Sequence, residues 1–253
     1  MKGINDAMAS RQKLEILLRQ KQSSLEKHSR PTLLSNFILG CQDGLVNVLG
    51  IILGVSAATS EVRIIFVAAL AALAAESISM GAVAYTSTIA RRKHYLRELE
   101  REKQEMRDLP ETEKGEVRDI FKKWGYRGKA LEDVTQRIVS NPKAWLEFMM
   151  AHELDLEPIE GDAPMNSAFV VGASAVVGSI VPLIPFFFTT ANILVGTEAS
   201  VVISAITLFA IGAYEAKTTV GSLWRSGLQM LLIGLVAGFA GYVIGSLLGA
   251  API

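Results

Sequence analysis

Two acids stand where acids are expensive. Asp43 is the only charged residue of an apolar run from about Leu33 to Thr59, and Glu76 is the only one of a run from about Ile64 to Ala90. An ionisable side chain at the middle of a bilayer costs about 2.5–3.5 kcal/mol on insertion scales, so such groups usually face a polar path. Asp43 lies ten residues into the first run, about 15 Å deep at the rise of an α-helix. Met80 lies ten residues from the far end of the second run, also about 15 Å deep. As antiparallel helices the two runs put Asp43 level with Met80. Glu76, four residues before Met80, shares its helix face one turn away. Carboxylates suit hard and borderline divalent ions, and a thioether tips the preference towards transition metals over Mg²⁺ and Ca²⁺. Carboxylates also exchange a bound cation for protons. The plainer alternative is that Asp43 and Glu76 hydrogen-bond helix to helix and that Met80 packs.

A second set of candidates lies between residues 93 and 164. Glu98, Glu102 and Glu105 are spaced four and three apart, on one helix face. Glu113 and Glu116 are three apart on the next helical stretch, and Met149, Met150 and Glu153 follow on a later one, Met149 and Glu153 four apart. Packed together, these stretches gather carboxylates and thioethers into a metal site. Spacing alone is equally satisfied by a solvated charged face in which, for example, Glu98 and Glu102 pair with Arg101.

The elements that must hold these residues follow from the distribution of charge. Of the 50 charged residues, 32 fall between Arg91 and Asp162, ten lie before Thr32 and eight are left for everything else. A span needs about 20 apolar residues. Five stretches meet that length, near 33–59, 64–90, 167–189, 199–216 and 226–250. The fold class expected is therefore all-α, a polytopic membrane protein with five transmembrane helices and a helical insert between helices 2 and 3. Its parts are an N-terminal segment (1–32), transmembrane helices 1–2 (33–92), the insert (93–164) and transmembrane helices 3–5 (165–253). Lys and Arg crowd the N-terminal segment, the start of the insert and the turn with Lys217 and Arg225, which places these on the cytoplasmic side and the C-terminus opposite. The N-terminal segment spaces Leu14, Leu17, Leu18 and Leu25 as an amphipathic helix, lying on the leaflet or packed on the insert. In the insert, helix is expected to about Asp108, from about Glu111 to Gly125, from Leu131 to Val139, and from Ser140-Asn141-Pro142 to about Leu156. Pro182 and Pro185 should bend or end the third span.

Several functions are disfavoured. Formal net charge is zero, which makes no case for nucleic acid. The single cysteine, Cys41, forbids an internal disulfide or a multi-cysteine metal site. The N-terminus does not read as a signal peptide. None of His28, His94 and His152 follows a Glu by three residues, as a ferritin-like di-iron oxidase requires. There is no Gly-rich phosphate loop with Lys for an ATP-driven pump, and no coherent Ser/His/Asp set.

Three segments resemble the vacuolar iron transporter family. They are Gly40-Cys41-Gln42-Asp43-Gly44-Leu45-Val46-Asn47 followed by Leu53-Gly54-Val55; Ala75-Glu76-Ser77-Ile78-Ser79-Met80-Gly81-Ala82; and Trp145-Leu146-Glu147-Phe148-Met149-Met150 with Glu153-Leu154 and Pro158. The resemblance implies a dimeric, proton-coupled Fe²⁺ transporter with no permanently bound cofactor, in which Asp43 and Met80 line the path. It implies that Glu102, Glu105, Glu113, Glu116, Met149, Met150 and Glu153 bind metal in a cytoplasmic insert, with Glu98 at the margin. Where many members read Gly-Glu-Tyr after the second-span Met, this chain reads Val83-Ala84-Tyr85, so Glu76 stands in for the missing acid. Mn²⁺, or a broader set including Zn²⁺ and Co²⁺, is the rival substrate. A membrane-anchored metal-binding or sensing protein that does not transport is the rival class. The lack of long targeting extensions points to a prokaryotic plasma membrane.

Overall fold

The computed structural model describes residues 31–189, 192–218 and 221–249. The N-terminal amphipathic segment lies outside these. The described residues are helical throughout their regular structure, without a strand. In chain order the helices are α1 (Pro31–Ala58), α2 (Val62–Asp108), α3 (Pro110–Lys123), α4 (Gly128–Val139), α5 (Pro142–His152), α6 (Ala163–Ile180), α7 (Ile184–Phe188), α8 (Ile193–Thr218) and α9 (Leu223–Gly249). A 3₁₀ turn, Val181–Leu183, joins α6 to α7.

Five stretches are long and apolar enough to cross a membrane: Leu33–Ala58, the apolar first part of α2, Ala163–Phe188, Ile193–Thr218 and Leu223–Gly249. Their outward faces carry large apolar residues such as Ile78, Phe169, Val202, Phe239 and Leu247, as lipid contact demands. α1 is the central element and packs on α2, α6, α8 and α9. One apolar core joins Val48 and Ile52 of α1 to Ile65 and Ala69 of α2 and to Leu183 and Phe186 of the third span. A second joins Leu45, Leu208 and Met230. At Pro182 and Pro185 the third span is interrupted by the 3₁₀ turn, and helix then resumes to Phe188. The close approach of α1 to α6 depends on Gly178: a Cβ there would collide with the carbonyl oxygen of Cys41.

α2 has 47 residues, about 70 Å of continuous helix, and so carries the second span straight into the insert. It stops at Asp108 because Pro110 disfavours helical geometry at Leu109, whose φ is −130° and ψ 46°. α3, α4 and α5 then pack around Val117, Phe121, Leu131, Trp145, Phe148 and Met149, with Met106 of α2 against them. Phe121 stacks on Phe148 at 5.0 Å between ring centroids. Asn141 caps α5 as expected, accepting from the Lys143 and Ala144 amides at 3.1 and 3.3 Å. α5 ends earlier than sequence spacing indicates, at His152 instead of Leu156. Its last carbonyls are taken by wider loops, the Leu154 amide donating to the Met149 carbonyl five residues back and the Leu156 amide to the Met150 carbonyl six back, and Asp155 turns to φ 52°. α4 begins three residues earlier than expected, at Gly128.

Candidate metal centre

Glu153 is the C-cap residue of α5, still helical in φ and ψ with its amide bonded to the Met149 carbonyl, and its carboxylate meets Glu102 from α2 and Glu113 from α3. One carboxylate oxygen from each of the three lies within 4.8 Å of the others. Glu102 is 1% exposed and Glu113 4% exposed, while Glu153 opens to solvent. Glu102 Oε1 and Glu113 Oε2 are buried without a hydrogen-bond partner. Buried carboxylate oxygens are normally paired, because leaving them bare costs the desolvation of a charged group.

The electrostatics match that geometry. Burial, then the hydrogen bond and charge of Glu102, push the Glu113 carboxyl up to about 8. Partial burial and the neighbouring carboxylates of Glu116 and Glu113 push Glu153 up to about 7. Glu105 and Glu116, half-buried, stand at the edge and add their negative charge. Near neutral pH the raised Glu113 and Glu153 carboxyls therefore hold on to protons. A divalent cation supplies the same compensation with more charge and accepts oxygen donors at this spacing.

Five of the candidate carboxylates in the insert are thus gathered: Glu102, Glu113 and Glu153 at the centre, Glu105 and Glu116 beside them. Met149 is fully buried in the apolar core and Met150 is 3% exposed, both in the turn of α5 that delivers Glu153. Glu98 is not brought to the centre. Its carboxylate is held by Arg101 at 2.9 Å and Arg97 at 3.0 Å, with His94 at 3.6 Å.

In the spanning bundle, Asp43 on α1 and Glu76 and Met80 on α2 are each half-buried. Glu76 lies against Asp43 and Asn47, yet neither closes a well-formed hydrogen bond to its two oxygens, which are both sealed from water. Asn47 is the neighbour that sequence reasoning did not single out. Its signal is simple: it follows Asp43 by four residues and so shares its face.

Five helices long and apolar enough to cross a membrane, one of them running on into a cluster of carboxylates, define a polytopic membrane protein. The chain belongs to the VIT family, whose model matches residues 34–246. It is 35% identical to vacuolar iron transporter 2 of Oryza sativa subsp. japonica, over 86% of this chain and 88% of that protein. It is 32% identical to vacuolar iron transporter 1 of Arabidopsis thaliana, over 89% and 92%. It is 24% identical to protein CCC1 of Saccharomyces cerevisiae, over 87% and 70%. These relatives are eukaryotic, and they lend no support to the expected prokaryotic membership.

Proposed function

We propose that this protein moves Fe²⁺ out of the cytosol in exchange for protons. The insert captures the ion at Glu102, Glu113 and Glu153, with Glu105, Glu116, Met149 and Met150 around them. The ion then passes to Asp43, Glu76 and Met80 at mid-membrane. The observation that carries this reading is the pair of buried, unpartnered carboxylate oxygens on Glu102 and Glu113, converging with Glu153 within 4.8 Å. The names of the relatives support iron as the metal. The raised Glu113 and Glu153 make the centre one that trades protons for cations. The insert and N-terminus face the cytosol in this reading, since Lys and Arg crowd those loops, and five spans then leave the C-terminus on the opposite side. A homodimer is part of the proposal, on the family resemblance.

Mn²⁺ is the second reading, favoured by a specific observation: the converging trio is all oxygen, which accommodates Mn²⁺ as readily as Fe²⁺. The test is metal flux into proteoliposomes holding an imposed proton gradient, with Fe²⁺, Mn²⁺ and Zn²⁺ in parallel. Gradient-dependent Fe²⁺ flux that disappears in Asp43→Ala is the expected result. Mn²⁺ flux at equal or greater rate moves the substrate to Mn²⁺. Metal binding in detergent without flux of any metal overturns the proposal and leaves a membrane-anchored binding protein.

A further inference from the structure

Asn47 sits fourteen residues after Leu33, about 21 Å along α1 and so in the middle third of the first span. It is exposed at the surface of the chain's own bundle, on a stretch long and apolar enough to cross a membrane, where hydrocarbon would offer its amide no hydrogen-bond partner. Apart from the Glu76 carboxylate beside it, Asn47 has no polar partner among the described residues. Glu76 in turn presents two oxygens that are sealed from water and lack a well-formed hydrogen bond. An amide placed here without a use is a cost, and its residue type is the clue. Asp43 and Glu76 together carry two negative charges when empty of protons. A divalent cation between them gives a neutral complex, the form least penalised in a low-dielectric medium. Such a cation still needs donors beyond two carboxylates and a thioether. An amide oxygen supplies one without adding charge, and its NH₂ group can hold a carboxylate at the same time.

We infer that Asn47 is the uncharged member of the mid-membrane site, its amide nitrogen orienting Glu76 and its amide oxygen offered to the passing cation. This rests on the proposed path through Asp43, Glu76 and Met80 and assigns it a further residue. Replacing the amide by a methyl removes a donor without changing the site's charge. Replacing it by a carboxylate keeps the donor and spoils the charge balance. The two changes should therefore act on different kinetic constants.

The experiment measures initial Fe²⁺ flux against Fe²⁺ concentration in proteoliposomes of the full-length protein, with Asn47→Ala, Asn47→Asp and Asp43→Ala side by side. Each variant is first checked for its elution profile and thermal midpoint in detergent. Asn47→Ala is expected to raise KM about tenfold, the scale of a lost bond to a charged group, with a smaller effect on the maximal rate. Asn47→Asp is expected to keep KM low, to lower the maximal rate and to need a lower pH on the release side, because a third acid must be discharged. If Asn47→Ala does not fold, the Asn47→Asp pH profile decides. Wild-type KM in Asn47→Ala, or a wild-type pH profile in Asn47→Asp, beside an inactive Asp43→Ala, overturns this inference and leaves the path standing. Normal flux in Asp43→Ala overturns the path itself and this inference with it.

Discussion

At the scale of single residues, the centre in the insert is an arrangement of acids that is uncomfortable when empty. Glu113 is buried and has its carboxyl raised from 4.5 to about 8, and Glu153 is raised from 4.5 to about 7. A carboxyl group with a raised folded value binds its proton more tightly folded than unfolded. Its contribution to stability is present in full below about pH 4.5 and is lost as pH rises through 7 and 8. In chelated protein, the thermal midpoint in detergent is therefore expected to fall between about pH 5 and pH 9. Saturating Mn²⁺ should restore it at the alkaline end, since the cation replaces the missing protons. Glu113→Gln should flatten the pH dependence and weaken metal binding to the insert by at least about tenfold. A pH profile in that variant identical to wild type would show that Glu113 is not the group responsible. Glu98→Gln is expected to leave metal affinity within about twofold. Its carboxylate, buried against the exposed Arg97 and Arg101, is turned to those cations and stands apart from the three converging acids.

At the scale of elements, helices meet through small residues in the bundle and through large ones in the insert. Gly178 of α6 faces the Cys41 backbone so closely that even a methyl group has no room. Gly178→Ala is expected to push α1 and α6 apart and to destabilise the protein by about 1–3 kcal/mol, the usual range for overpacking. Gly115 is the contrasting case. It lies inside α3, and a Cβ there meets nothing within 4 Å. Gly115→Ala should stabilise the chain by about 0.5–1 kcal/mol through backbone entropy and helix propensity. Thermal midpoints of the two variants in the same detergent check both signs. If Gly178→Ala is as stable as the parent, the packing described between α1 and α6 is wrong.

At the scale of the whole molecule, α2 is the one rigid connection common to both proposed sites. Glu76 and Glu102 are 26 residues apart on it, about 40 Å along one axis. Two consequences follow. First, binding and flux should separate: Asp43→Ala abolishes flux and leaves metal binding by the insert intact, while Glu113→Gln weakens binding and slows flux only at low metal concentration. Second, inserting a single Ala after Lys93 turns the insert by about 100° relative to the span. That variant is expected to bind metal normally and to transport slowly. Unchanged flux would show that delivery from the insert does not depend on its angular placement.

Much of this was legible along the chain. A span is a local property, because about twenty apolar residues in helix satisfy their own backbone and match the hydrocarbon thickness. The number of spans, the helix break at Leu109-Pro110 and the cap at Asn141 are read from neighbours in sequence, and the structure keeps them. The isolated acids Asp43 and Glu76 are conspicuous for the same reason. What spacing left open was selection among equals. Glu98, Glu102 and Glu105 share a face of α2 by arithmetic, yet Glu102 goes to the centre and Glu98 to its arginines. That choice depends on which partners α3 and the end of α5 bring alongside. Glu153, the C-cap residue of α5, keeps helical dihedrals and its amide bond to the Met149 carbonyl, and it joins the other two carboxylates because of where α5 packs against α2 and α3. Only the tertiary structure decides such matters, because a carboxylate's partner is set by distances between helices, and periodicity within one helix carries no information about them.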